Sequence, residues 1–306
     1  MATTTVRSRI TPVRDNPAYQ ALKAEKSPDT YPLLEALDRP ALKPLPVVPF
    51  EYAEWKAATE WHVTVFLNHG AGPDNVYKAL SGELRWSDPV FVDAMTRLNN
   101  WFQRGWMGGG TQRYFTNRFD TLYTDLAKGR AALQITGTWG FQEIGPFFKD
   151  AEWDWAPLPA LGAGVPAKVF ALGIGGTSSI NASSKVAPAA ALFLDWLISD
   201  PKRMARGIAE AGVQPYPVQL TEDDFPAGTD QRQTRLYNEL GQASASRDVG
   251  YTTWTFWPPK SNTYLYEQFE KVIVGRMTPP DYLQGLDEVF AEERAEGKVP
   301  PLISRG

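Results

Sequence analysis

The residues best suited to chemistry in this chain are aromatic rings and carboxylates. Trp139 stands in Gly137-Thr138-Trp139-Gly140, after a helix stop at Gly129 and a short apolar run, Ala131 to Ile135. Glycine ends the helix and leaves the backbone free around the tryptophan, so this order places an indole at the mouth of a cleft. A flat apolar ring with a polar edge suits the apolar face of a sugar. Gly175-Gly176-Thr177 would let backbone amides approach ligand hydroxyls closely, or would make a plain turn. His62 and His69 lie seven apart on one helix face, yet two histidines without a third ligand are no basis for a metal site. Glu60, Glu143 and Asp154 are carboxylates that a glycoside hydrolase could use, but that chemistry needs two of them about 5–10 Å apart, and their spacing singles out no pair.

Composition removes other classes. A net charge of −4 with no basic stripe argues against a nucleic-acid surface. The absence of cysteine excludes disulfides and thiolate metal centres. No Gly-Xaa-Ser-Xaa-Gly elbow and no phosphate-binding loop occur, so neither a serine hydrolase nor a nucleotide enzyme is expected, and no cofactor is implied. Met1 to Arg9 lacks the apolar core of an export signal, and no run approaches the roughly 18 apolar residues of a membrane span.

The elements that must position these groups follow from periodicity and punctuation. Residues 1–16 read as an irregular arm, Pro17 to Leu37 as an interrupted helix, and Pro40 to Pro49 as a stiff linker. Phe50 to His69 is helical and carries Glu60-Trp61; a plain amphipathic surface helix is the competing reading of that pair. Ser87-Asp88-Pro89 starts a helix with a capping side chain and an early proline. Its core face is Val90, Phe91, Ala94, Met95, Leu98, Trp101 and Phe102. Strands are expected at Ala131 to Ile135, Trp153 to Ala156 and Val169 to Ile174, sharing one sheet. A helix from Pro188 should turn Leu192, Phe193, Trp196 and Leu197 to the core, with another after Asp200-Pro201. Helices over 228–242, Asn262 to Val274 and Pro280 to Ala295 complete an α/β pattern.

Several of these pieces together resemble a known family. Lys128-Gly-Arg-Ala-Ala132 followed by Gly137-Thr138-Trp139, then Trp155-Ala-Pro-Leu-Pro159, then Gly175-Gly-Thr-Ser-Ser-Ile-Asn-Ala-Ser-Ser-Lys185, are similar in order to the motifs of the family 1 extracellular solute-binding proteins. These are the sugar receptors of bacterial ABC importers, and the resemblance covers about residues 53–298. It implies a type II periplasmic-binding-protein-like fold whose two lobes close on a sugar, with no catalysis, a monomeric state, permease subunits as partners and an extracellular or periplasmic location. By resemblance, Trp139 stacks on a sugar ring, Glu60 and Trp61 hold sugar by hydrogen bond and ring, and one of Trp254 and Trp257 supplies another stacking ring while the other packs. Gly175 and Gly176 complete the expected ligand contacts. The expected division is an arm over 1–52, a main lobe over 53–175, a second-lobe segment over 176–240 and closing helices over 241–306. The family's usual first segment has no counterpart in residues 1–52, so an incomplete first lobe is expected, with a truncated product lacking function as a further alternative.

Overall fold

A computed structural model describes residues 55–303 together with Val47–Val48, except positions 108–109, 129, 132, 149–152, 167, 174, 176–177 and 213–218. The described elements run, in chain order, β1 (Val47–Val48), α1 (Ala58–Phe66), a π-helical turn (Leu67–Ala71), α2 (Pro73–Ser81), α3 (Pro89–Gln103), α4 (Thr111–Thr116), α5 (Phe119–Ala127) and β2 (Leu133–Gln134). They continue with α6 (Gly140–Ile144), β3 (Phe170–Leu172), α7 (Ala187–Ile198), α8 (Pro201–Ala211), a 3-10 turn (Glu222–Asp224), α9 (Gln231–Ser246), β4 (Val249–Tyr251), α10 (Thr253–Phe256), α11 (Pro259–Ile273) and α12 (Pro279–Ala295). This is a helix-rich α/β chain.

Among the described residues the strands form two parallel pairs, β1 with β2 through Val47 and Leu133, and β3 with β4 through Phe170 and Val249. The expectation of one shared sheet is therefore corrected. Trp153 to Ala156 forms no strand; Asp154 turns its carboxylate onto the next backbone, accepting from Trp155 N at 2.8 Å, a local bond that competes with ladder pairing.

The chain divides into two compact units. The first runs to Ile135 and resumes over Phe147–Gly173 and from Asp248 onward; the second comprises Thr136–Pro146 and Ile174–Arg247. The segment around Trp139 thus belongs to the second unit, whereas the sequence reading put it within 53–175.

In the first unit α1 is the central element, with every residue from Ala58 to Phe66 buried. A helix buried on all sides must satisfy its polar side chains internally. Thr59 shares a hydrogen with Tyr114 at 2.7 Å and Thr64 with Thr253 at 2.8 Å. Around it pack α3 and α11. In α3, Asp88 caps by accepting from Val90 N at 3.2 Å and Pro89 fills the first turn. Its residues Phe91, Ala94, Met95, Leu98, Trp101 and Phe102 are buried, as their spacing predicts. Asp287 of α12 accepts from Trp86 N, Ser87 N and the Ser87 hydroxyl, which anchors the approach to α3.

The second unit has its own small core, Met204, Ala205, Ile208, Leu220, Phe225 and Tyr237. Here α7 departs from expectation. None of its residues is buried. Leu192, Phe193 and Trp196, read from their spacing as core, are 70%, 57% and 51% exposed. Phe193 and Trp196 stack on each other with centroids 5.9 Å apart, and the Arg203 guanidinium lies 3.9 Å from the Trp196 ring. The periodicity identified an apolar face; it did not identify what covers it.

Candidate ligand-binding site

The first unit brings two of the expected rings together. Trp61 and Trp254 stack with centroids 5.2 Å apart and planes 25° from parallel. Trp61 is the inner ring, 6% exposed, and its indole N–H donates to the Ile135 carbonyl at 3.3 Å. Trp254 on α10 is only partly buried, so it is the ring of this pair that retains access to solvent. A Cβ added at Gly173 would sit 2.9 Å from Trp254 Nε1 and 2.6 Å from Thr252 Oγ1; glycine there allows β3 to end against the indole edge.

Glu60 precedes Trp61 on α1 but points into the packing, 4% exposed. Burial pushes its carboxyl up to about 7, against the lowering effect of a hydrogen bond from the Asn262 side chain. Its Oε2 and the Asn262 Oδ1 are both buried without a partner. Direct contact with ligand hydroxyls, the role the resemblance implies for Glu60, would need this closed arrangement to open. Trp257 lies in the core, 3% exposed and 5.0 Å from the Trp86 ring. Of the two late tryptophans, then, Trp257 packs and leaves Trp254 as the available ring. The extended backbone at Trp257 ahead of Pro258 turns it inward.

In the second unit Trp139 caps α6 and is partly buried. Its six-membered ring covers the α-carbon of Gly137 so closely that a Cβ there would meet Cζ3 at 2.3 Å. The turn is held by neighbours on both sides. The Thr138 hydroxyl bonds to buried Tyr237, whose phenol burial pushes up to about 12, and Gln142 Nε2 donates to the Gly212 carbonyl at 2.6 Å. Gly175 is exposed, with open space where a side chain would be; Gly176 and Thr177 lie outside the described residues.

The histidines are structural. His62 lies between Phe102 and Tyr114, with ring centroids 6.2 and 6.0 Å away, and burial lowers it to about 3. His69 bonds to the backbone of Leu158 and Pro159, and burial lowers it to about 4. Its carbonyl accepts from Leu161 N at 2.7 Å, so the π-helical turn tethers the Pro-Leu-Pro segment. Asn262 was not among the residues read from sequence; an asparagine in the first turn of a helix carries no signal that it meets a carboxyl 202 positions earlier.

A chitin oligosaccharide binding protein superposes with a TM-score of 0.65 at 15% identity, covering 90% of this chain and 67% of its own. The MsmE binding protein of Bacillus subtilis, in an open conformation, gives 0.64 at 14% identity over 93% of this chain and 69% of its own. A sugar transporter of Bacillus licheniformis in complex with stachyose gives 0.60 at 14% identity over 88% and 67%. The chain therefore has the fold seen in these binding and transport proteins and spans about two thirds of their length. No protein-family model matches the chain. A stretch of 36 residues, 11% of the chain, is 61% identical to a proposed transposase of Sinorhizobium fredii, of which it spans 7%.

Proposed function

We propose that this chain binds carbohydrate as the sugar-binding component of an ABC importer. It acts as an extracellular or periplasmic monomer, passes its ligand to permease subunits and performs no chemistry. The observation that carries the reading is the Trp61–Trp254 stack, on a fold whose solved relatives include a chitin oligosaccharide binding protein and a stachyose complex. A ring braced from behind by a second ring offers a rigid apolar platform, which suits the C–H face of a pyranose. Trp139, seated on Gly137, is the second proposed platform, and Gly175 a point of close backbone approach. The glycoside hydrolase reading has less support, because Glu60 is closed off and Asp154 is engaged by its own backbone.

The test is thermal denaturation of the purified chain against a panel of oligosaccharides, including chito-oligosaccharides and stachyose. A ligand that binds only the native state raises the melting temperature by an amount that grows with the logarithm of its concentration above Kd. A concentration-dependent rise with at least one oligosaccharide, without release of smaller sugars, is expected. No rise across the panel, or turnover of the sugars, would overturn the proposal.

A further inference from the structure

We propose that Glu60 is held as a carboxylic acid whose proton is donated to Oδ1 of Asn262, while the Asn262 amide donates to its other oxygen, and that this closed pair positions Trp61 beneath Trp254. The positioning role rests on Trp254 being a sugar platform; the paired state of Glu60 does not.

Glu60 Oε2 and Asn262 Oδ1 are both sealed from solvent and unbonded. Both are acceptors when Glu60 is ionised, so two lone-pair atoms on hydrogen-bonded side chains would be left facing the interior, a costly arrangement. A single proton on Oε2 removes both defects at once, because an acid and a primary amide are complementary: O–H donates to C=O and N–H donates to the other C=O. That proton comes from solvent and no other group changes state. Burial outweighs the Asn262 donor in setting the acid's affinity for its proton and raises it to about 7.

Among the described residues no rival counter-charge is directed at Glu60. Glu60's shift has burial and Asn262 as its causes, with no charged neighbour among them. On α11, Lys260 is directed to Glu292 at 3.3 Å and Lys271 to Gln268 at 2.6 Å, while Glu267 is exposed and Glu270 lies on the partly open face. On α3, Arg97 pairs with Asp93 at 3.6 Å. His62 on α1 itself is enclosed by Phe102 and Tyr114, His69 is bonded to backbone, and α10 holds no ionisable side chain. The pair joins α1 to the first turn of α11, which follows directly on the α10 segment that carries Trp254. Ionisation of Glu60 would break the Oε2–Oδ1 bond at the joint between the two rings' supporting elements.

The experiment follows Glu60 directly in the full chain carrying ¹³C-labelled glutamate δ-carboxyls, with Glu60→Gln to assign the signal. One carboxyl titrating near neutrality, absent from the variant, is expected, with tryptophan emission shifting at the same midpoint in wild type and not in Glu60→Gln, where an amide replaces the acid. A Glu60 signal titrating in the ordinary carboxylate range would overturn the pair. Emission indifferent to the titration would overturn its positioning role. Binding of chito-oligosaccharide or stachyose that weakens above neutral pH in wild type but stays flat in Glu60→Gln is the corresponding functional result. If neither sugar binds while the titration is as expected, the functional reading fails and the pair stands.

Discussion

Asn68 and Tyr251 exchange two hydrogen bonds across the first unit: the Asn68 amide donates to the Tyr251 carbonyl at 2.9 Å and Tyr251 N–H donates to Asn68 Oδ1 at 2.8 Å. A side chain on the π-helical turn thus occupies the place of a neighbouring strand beside β4. The fit is close enough that a Cβ on Gly250 would lie 2.4 Å from Asn68 Oδ1.

Replacing Asn68 by alanine should therefore strand one buried donor and one buried acceptor. At about 1–3 kcal/mol for each unsatisfied group, a loss on the order of 2–5 kcal/mol is expected in urea denaturation. Gly250→Ala should be destabilising by a similar route. A change of less than about 0.5 kcal/mol in both variants would show that the strand-like exchange contributes little.

Glu293 on α12 should behave similarly. It is 1% exposed and accepts from Lys260 N at 2.9 Å, Ser261 N at 2.7 Å and the Ser261 hydroxyl at 2.8 Å. A carboxylate at the start of α11 satisfies orphan N–H groups and meets the positive end of the helix dipole. Glu293→Ala should cost about 2–4 kcal/mol, and Ser261→Ala about 1 kcal/mol, both read from equilibrium unfolding.

Stability should fall in acid, with a sign set by opposed groups. His62 and His69 are lowered from 6.5 to about 3 and about 4, so their contribution is present above pH 6.5 and is lost as pH falls toward those values. Glu60, raised from 4.5 to about 7, contributes in the other direction: its protonated form favours the fold below pH 4.5, and that advantage fades as pH rises to about 7. The two histidines outnumber the one carboxyl. Unfolding free energy should decline from neutrality toward pH 4 by about 3 kcal/mol net, most steeply below pH 4.5, where Glu60 no longer offsets it. Urea titrations at stepped pH would check this, and a flat profile between about pH 6 and 4 would contradict the burial assigned to the histidines.

Much of this fold was legible because local signals decide it. Asp88-Pro89 and Asp200-Pro201 begin helices where a cap and an early proline allow it, and the buried face of α3 follows its 3.6-residue period. Two rings singled out in the sequence, Trp61 and Trp254, stack although 193 positions separate them. What could not be read was depth. Glu60 and Trp61 look amphipathic on paper, yet α1 is buried all round, because partners such as Tyr114 and Thr253 come from distant segments and satisfy its hydroxyls. The reverse holds at α7, whose apolar period is not matched by burial. Sheet membership failed for a third reason: a parallel pair such as β3 and β4 is fixed by crossover topology, which a short apolar run does not encode.

The open face of α7 makes its own prediction. Phe193→Ser and Trp196→Ser remove side chains that are more than half exposed, so each should change unfolding free energy by no more than about 1 kcal/mol. Removing part of this exposed apolar face should reduce binding of an apolar dye. Equilibrium unfolding and dye fluorescence would check it; a loss of several kcal/mol would mean these rings are buried in solution.

Trp254, braced by Trp61, is the proposed carbohydrate platform. Titration calorimetry of wild type and Trp254→Ala with chito-oligosaccharide and stachyose tests it most directly, with circular dichroism confirming that the variant remains folded. Measurable binding by wild type is expected, weakened in Trp254→Ala by about 1–3 kcal/mol, with partial recovery in Trp254→Phe. Unchanged affinity in a folded Trp254→Ala would contradict it.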